Sequence, residues 1–373
     1  SGHSNTTGNQ NSFFGSQAGF SNTVSGNSFF GAFAGYSTST GDSNSFFGAQ
    51  TGQVNSTGFS NTFLGAYSGS FNTTGNTNSF VGRDAGYTNT TGSLNSFFGR
   101  SSGYANTTGS NNSFFGVNSG QTNSTGGNNS FFGESSGFAN TTGAGNAFFG
   151  NSSGKSNTTG NFNSFFGNGA GFSNTASGNS FFGRSAGQAN TIGNANSFFG
   201  SGSGILNSSG VSNSFFGYSS GENNTTGSSN VFVGGGAGDQ NSTASGNSFI
   251  GGSSGQNTTT GGFNTFAGFN SGISNTTGQN NTLLGASANV SSNNLTNATA
   301  IGAGAVVSAN NSVVLGNNAN VGIGVSAPPS KLTVAGIVET TTGGVKFPDG
   351  SIQTSALVIG SQILNQTTVQ AGY

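Results

Sequence analysis

The chain contains no cysteine, methionine or tryptophan. A disulfide framework, a thiolate nucleophile and a Cys-based metal site are therefore excluded, and cysteine usage says nothing about redox compartment. Charge is almost as scarce: six basic and seven acidic residues make up 3% of 373 residues, with a net charge of −1. An ordinary domain carries about 25%. Neither nucleic acid nor an anionic membrane has an electrostatic footprint to meet. No apolar run approaches the roughly eighteen residues a membrane-spanning helix needs. The chain opens on Ser1 without an apolar leader segment, which reads as a chain whose leader has been removed or whose start has been cut away. Sparse charge and no reactive sulfur suit an inert extracellular material.

What is present is glycine, asparagine, serine and threonine, with 70 Gly and only 30% hydrophobic residues. Such a composition alone points to disorder. Against that stand 37 phenylalanines placed with strict regularity. "NSFFGRSSGYANTTGSN" (Asn95–Asn111) is followed at once by "NSFFGVNSGQTNSTGGN". The leading Asn recurs seventeen times from Asn11 to Asn281, every 17 residues except for two steps of 16. A period this constant marks a stacked coil.

Each copy reads N-S-F-F-G-x-x-x-G-x-x-N-T-T-G-x-x. Two short β-prone pieces are separated by glycines that allow tight corners. The expected fold is all-β, a parallel β-solenoid with one repeat per coil and strands of about 4–5 residues. Stacked about 4.8 Å apart, seventeen coils would make a rod of roughly 80 Å.

Neighbours on a strand point to opposite faces, so the two phenylalanines need two cores. The first Phe is kept in sixteen copies, with Leu283 the exception. The second varies to Leu64, Val81, Val233, Ile250, Ala267 and Leu284. The invariant Asn shares a face with the first Phe, and both are placed inside, with the Asn amides bonding along the axis. The second Phe then points outward, at Phe14, Phe30, Phe47, Phe98, Phe115, Phe132, Phe149, Phe166, Phe182, Phe199 and Phe216. A stripe of that size exceeds what a soluble monomer tolerates, and it predicts an oligomer interface. Charges fall elsewhere. Arg83, Arg100, Glu134 and Arg184 share one corner position, and Lys155, Glu222 and Asp239 share another.

Beyond residue 297 the pattern shifts to "ATAIGAGAVVSANNSVVLGNNANVGIG". This resembles the head repeats of trimeric autotransporter adhesins, with "NSVVLG" (Asn311–Gly316) the nearest motif. The resemblance implies left-handed β-rolls packed as homotrimers, of which the "NSFFG" copies are a Phe-rich relative with a longer coil. "KLTVAG" and "FPDGSIQTSA", within Val321–Ala356, resemble the segment before the endosialidase-type intramolecular chaperone of tail-fibre-type proteins. That family's chaperone nucleates a trimer and cuts itself off, which implies a matured product here. The expected organisation is a 17-residue-repeat solenoid over 1–297, adhesin-head-like coils over 298–324, and a β-rich connector or assembly segment over 325–373.

Catalytic, cofactor and metal sites are not expected. His3, near a terminus, reads as a solvated residue, and no Asp recurs in each turn as calcium-binding β-rolls require. Glu222 and Asp239 are the one carboxylate pair that adjacent coils would bring together. The glycine run Val233–Gln240 reads as a corner. The repeated "NTT" at Asn72, Asn89, Asn106, Asn140, Asn157, Asn224 and Asn275 matches the glycosylation sequon, but a periodic ladder of turns alone explains it. Phe20, Tyr36, Tyr87, Tyr104, Phe138 and Phe172 occupy one corner, where they would contact a sugar or a neighbouring subunit.

These features give a non-enzymatic extracellular fibre or filament subunit, adhesin- or tail-fibre-like, on a cell surface or virion. Its partners are itself, as a homotrimer and through strand-like termini as an axial filament, and a glycan or host surface. The alternative is a glycan- or ice-binding module, although Val24, Ala176 and Ile192 interrupt the Thr ladder that ice binding needs.

Overall fold

The computed structural model describes residues 1–342 and 344–353. The chain forms two compact units, Ser1–Asn317 and the part from Asn318 onward. The first unit is a parallel β-solenoid of about 18 stacked coils. Its strands run from β1 (Ser12–Phe14) to β17 (Thr282–Leu284), one in each repeat. Three-residue strands β19 (Thr299–Ile301) and β21 (Val313–Leu315) continue the sheet, which has 19 strands in all. Short strands β18 (Asn289–Val290) and β20 (Val306–Val307) pair beside it.

Register is set residue on residue: Ser96 pairs with Ser113, Phe97 with Phe114 and Phe98 with Phe115. Identical side chains therefore meet their own kind along the axis. The first Phe is completely buried from Phe29 to Phe266, its rings stacked with centroids 4.7–5.0 Å apart. The strands hold three residues rather than four or five. The glycine after the second Phe ends them, because its backbone lies at positive φ (+134° at Gly99), a region L side chains avoid.

A second glycine serves packing. At Gly120, with φ +57°, an added Cβ would lie 2.5 Å from the Phe114 ring. The glycine thus lets the opposite wall of the coil close onto the phenylalanine core. Burial of each such ring contributes about 1.5–3 kcal/mol before entropy.

Two asparagines per coil hold the interior, and they divide the work differently from the sequence expectation. Amide-to-amide bonding along the axis by the leading Asn is confined, among the described residues, to Asn146 on Asn129 and Asn163 on Asn146, at 3.2 Å each. Asn95 accepts the Asn112 backbone N–H on Oδ1 at 3.0 Å and donates Nδ2 to Gly109 O across its own coil at 2.8 Å. At the strand entrance the next coil's N–H has no backbone carbonyl opposite it, and the side chain supplies one. The axial amide ladder belongs to the Asn of "NTTG". Asn106 donates to Asn89 Oδ1 at 2.7 Å while closing its own turn onto Gly109 O at 3.0 Å. Buried polar groups without such partners would be costly.

In the second unit, β22 (Val321–Ile323) pairs in parallel with β23 (Leu332–Val334). Strands β24 (Val345–Lys346) and β25 (Ile352–Gln353) form an antiparallel pair. The β-prone tail, Leu357–Tyr373, lies outside the described residues.

Candidate functional site

The outward face of each repeat's strand carries a first residue that is mostly Ser or Thr, and then the second Phe or the apolar residue that replaces it. Every predicted interface phenylalanine projects away from the coil core. Phe14 is 75% exposed, and Phe30, Phe47 and Phe216 about 40%. Phe98, Phe115, Phe132, Phe149, Phe166, Phe182 and Phe199 are half-buried, because each ring lies against the next. From Phe98 to Phe216 the stack is unbroken, with centroids 4.6–4.9 Å apart and planes within 8°. Phe30 and Phe47 form a separate stack at 4.8 Å. Stacking covers ring faces but leaves ring edges to solvent along the length of the stripe. Exposed Leu64, Val233, Ile250, Ile301 and Leu315 extend it in both directions.

Beside the stripe, two residues after the second Phe, stand Arg83, Arg100, Glu134 and Arg184, all exposed. Arg83 is bonded to Asp84 at 3.2 Å. A shallow cleft of about 200 Å³ opens on this flank, lined by Arg184, Ser201, Ile205, Tyr218 and Glu222 among others. Tyr218 is 71% exposed. Sequence reasoning passed over it because no other coil has an aromatic ring at that position except Phe269.

The corner aromatics do not form one platform. Phe20 stacks between His3 and Tyr36 at 4.9 and 5.1 Å, and Tyr87 stacks on Tyr104 at 5.1 Å. Phe138 and Phe172 lie on either side of Lys155, whose ammonium is 6.0 and 5.5 Å from their ring centres. All six predicted corner rings are half-buried, and Gln53, Ser70 and Gln121 separate the groups.

Glu222 and Asp239 fall on adjacent coils, but Asp239 is engaged by the amides of Asn223 and Gln240 at 3.1 Å each. The "NTT" asparagines are completely buried, and Asn72 Nδ2 donates to Asn55 Oδ1 at 2.7 Å. A glycan on that nitrogen would displace the ladder. The second Thr of the motif is exposed in seven successive coils, from Thr57 to Thr159, before Ala176 and Ile192 interrupt the row. Among the described residues, no cluster of three or more His, Asp or Glu side chains is placed to hold a metal, and no helix is long and apolar enough to cross a membrane.

No family model matches the chain, and no curated protein matches it in sequence.

Proposed function

We propose that this chain is a non-enzymatic structural subunit of an extracellular fibre or filament, covered along its outward Phe stripe by further copies of itself. The observation that carries this is the unbroken outward stack from Phe98 to Phe216, which the coil's own fold leaves edge-exposed. Apolar stripes of more than a few hundred Å² on a soluble chain mark association surfaces. The stripe has no catalytic chemistry to offer, and its regularity suits load-bearing assembly.

The resemblance of "NSVVLG" and "FPDGSIQTSA" to adhesin heads and tail-fibre segments supports a place on a cell surface or virion. It also implies a left-handed coil and a homotrimer as the assembly. Light scattering of the intact chain tests the core of this reading. A particle of two or more 36.6 kDa chains is expected, and a monodisperse monomer would refute it.

A second reading has one observation in its favour. The cleft offers an exposed ring (Tyr218), a guanidinium (Arg184), a carboxylate (Glu222) and hydroxyls, which is the chemistry that grips a sugar. Saccharide binding lost in Tyr218→Ala but kept in Tyr87→Ala would support it. The exposed Thr row gives ice binding a weaker claim, because it runs for only part of the stack.

A further inference from the structure

The outward stripe is not uniform, and its variation has a centre of symmetry. Counting coils from Asn11, the eight stacked rings fill the sixth to the thirteenth, so their midpoint lies between Phe149 and Phe166. On either side of them stand Val81 and Val233, and beyond those Leu64 and Ile250. The next pair is Phe47 and Ala267, a large residue matched with a small one. The flanking row obeys the same centre. Glu134 in the eighth coil is matched with Arg184 in the eleventh, Arg100 with Tyr218, and Ala49 with Phe269.

From this we infer that two chains pack stripe to stripe, antiparallel, about a two-fold axis between Phe149 and Phe166. The inference rests on the self-association proposed above, and it sets a two-fold pair in place of the homotrimer that the sequence resemblance implies. An isologous contact requires residue i to meet j while j meets i. A two-fold axis lying in the interface across the stack reverses coil order but keeps each lateral row opposite itself. It therefore brings Glu134 of each chain to Arg184 of the other, twice. It sets Arg100 against the Tyr218 ring, a cation–π pairing. It also fills the gap left at Ala267 with Phe47, and the gap at Ala49 with Phe269.

A parallel assembly matches every coil with its own copy. Ala267 then meets Ala267, Phe47 meets Phe47, and neither size nor charge is complemented. Among the described residues, neither Glu134 nor Arg184 has an ion-pair partner within its own chain.

The area suffices. Taking about 50–80 Å² left exposed on each outward apolar side chain, the stripe would bury roughly 1,000 Å² per chain. Stable interfaces bury about 800 Å² per partner. A paired chain would cover the Tyr218 cleft, so saccharide binding there and this pairing exclude each other.

Spin labels test the orientation, because the native chain has no cysteine. Thr57, Thr91 and Thr142 are exposed, in the third, fifth and eighth coils. Each is converted singly to Cys in the full chain and labelled. Antiparallel pairing predicts axial separations of about 62, 43 and 14 Å at about 4.8 Å per coil. Equal separations at all three sites, or three chains per particle, would overturn the pairing while leaving self-association standing. Monomers would overturn both. Glu134→Arg should raise the dissociation constant at least tenfold, and Glu134→Arg with Arg184→Glu in one chain should restore it. A double variant as weak as the single would sink the register.

Discussion

Asn241 Oδ1 is buried with no donor because Thr258 stands where the next asparagine of the amide ladder belongs. The Thr258 hydroxyl turns the other way, to Asn275 O at 3.3 Å. Asn157 Oδ1 is orphaned for a related reason. The following coil has 16 residues, and its Asn174 donates to Ala176 O instead. The ladder therefore breaks wherever coil length or residue type changes. Thr258→Asn should give Asn241 its donor and Asn275 a better acceptor than the present 3.4 Å contact. We expect stabilisation by about 1 kcal/mol, read from chemical denaturation, since a paired buried acceptor is worth about that much. A variant no more stable than the parent would show that the orphan oxygen costs little.

Phe114 and Phe115 adjoin in sequence but belong to different cores. Phe114 is completely buried between Phe97 and Phe131, with centroids 4.8 Å away on each side. Phe114→Ala should destabilise the coil by about 3–5 kcal/mol, the usual cost of emptying an aromatic core site. Phe115→Ala should leave the coil's stability within about 1 kcal/mol and weaken association instead. Parallel denaturation and sedimentation measurements separate the two. Equal loss of stability in both variants would contradict the two-core account.

The one-repeat coil, the in-register strands and the opposite faces of the two phenylalanines could all be read from the sequence. Period 17 and the unequal tolerance of Phe97- and Phe98-type positions are properties of the residues themselves. The roles of the two asparagines could not be separated, because an amide ladder and an amide-to-backbone bond demand the same side chain. Left-handed corners such as Phe33, Tyr67 and Leu94, at φ 59–63°, were also invisible, since only Gly or Asn announces that conformation. The Tyr218 cleft draws residues from three coils, and no single repeat displays it.

Leu94 makes those corners testable. It is 56% exposed and sits at φ +61°, where a branched side chain is strained. Leu94→Gly should stabilise the protein by about 1 kcal/mol, the order of the left-handed penalty, less the entropy glycine adds to the unfolded chain. At Gly120 the same exchange runs in reverse. Gly120→Ala adds both the φ penalty and a 2.5 Å approach to the Phe114 ring. Thermal denaturation should move the two variants in opposite directions. Loss of stability in both would mean that the Leu94 side chain contributes more by contact than its backbone costs.

Tyr87 gives the solenoid a pH dependence that can be tested. It stacks on Tyr104 at 5.1 Å, with Phe71 edge-on at 5.0 Å. Burial raises its phenol pKa above the ordinary value of 10.0, and negative charge on Tyr104, Asp84 and Tyr67 raises it further. The folded coil thus holds Tyr87 neutral more strongly than the unfolded chain does. With the folded pKa above the unfolded one, this contribution is fully present below about pH 10 and is lost as pH rises through the folded pKa. The Tyr87 contribution should therefore be lost above about pH 10. Tyr87→Phe should flatten part of the alkaline fall in stability. Denaturation midpoints at pH 9 and 11 decide the matter. An identical fall in the variant and the parent would assign the alkaline loss to groups other than Tyr87.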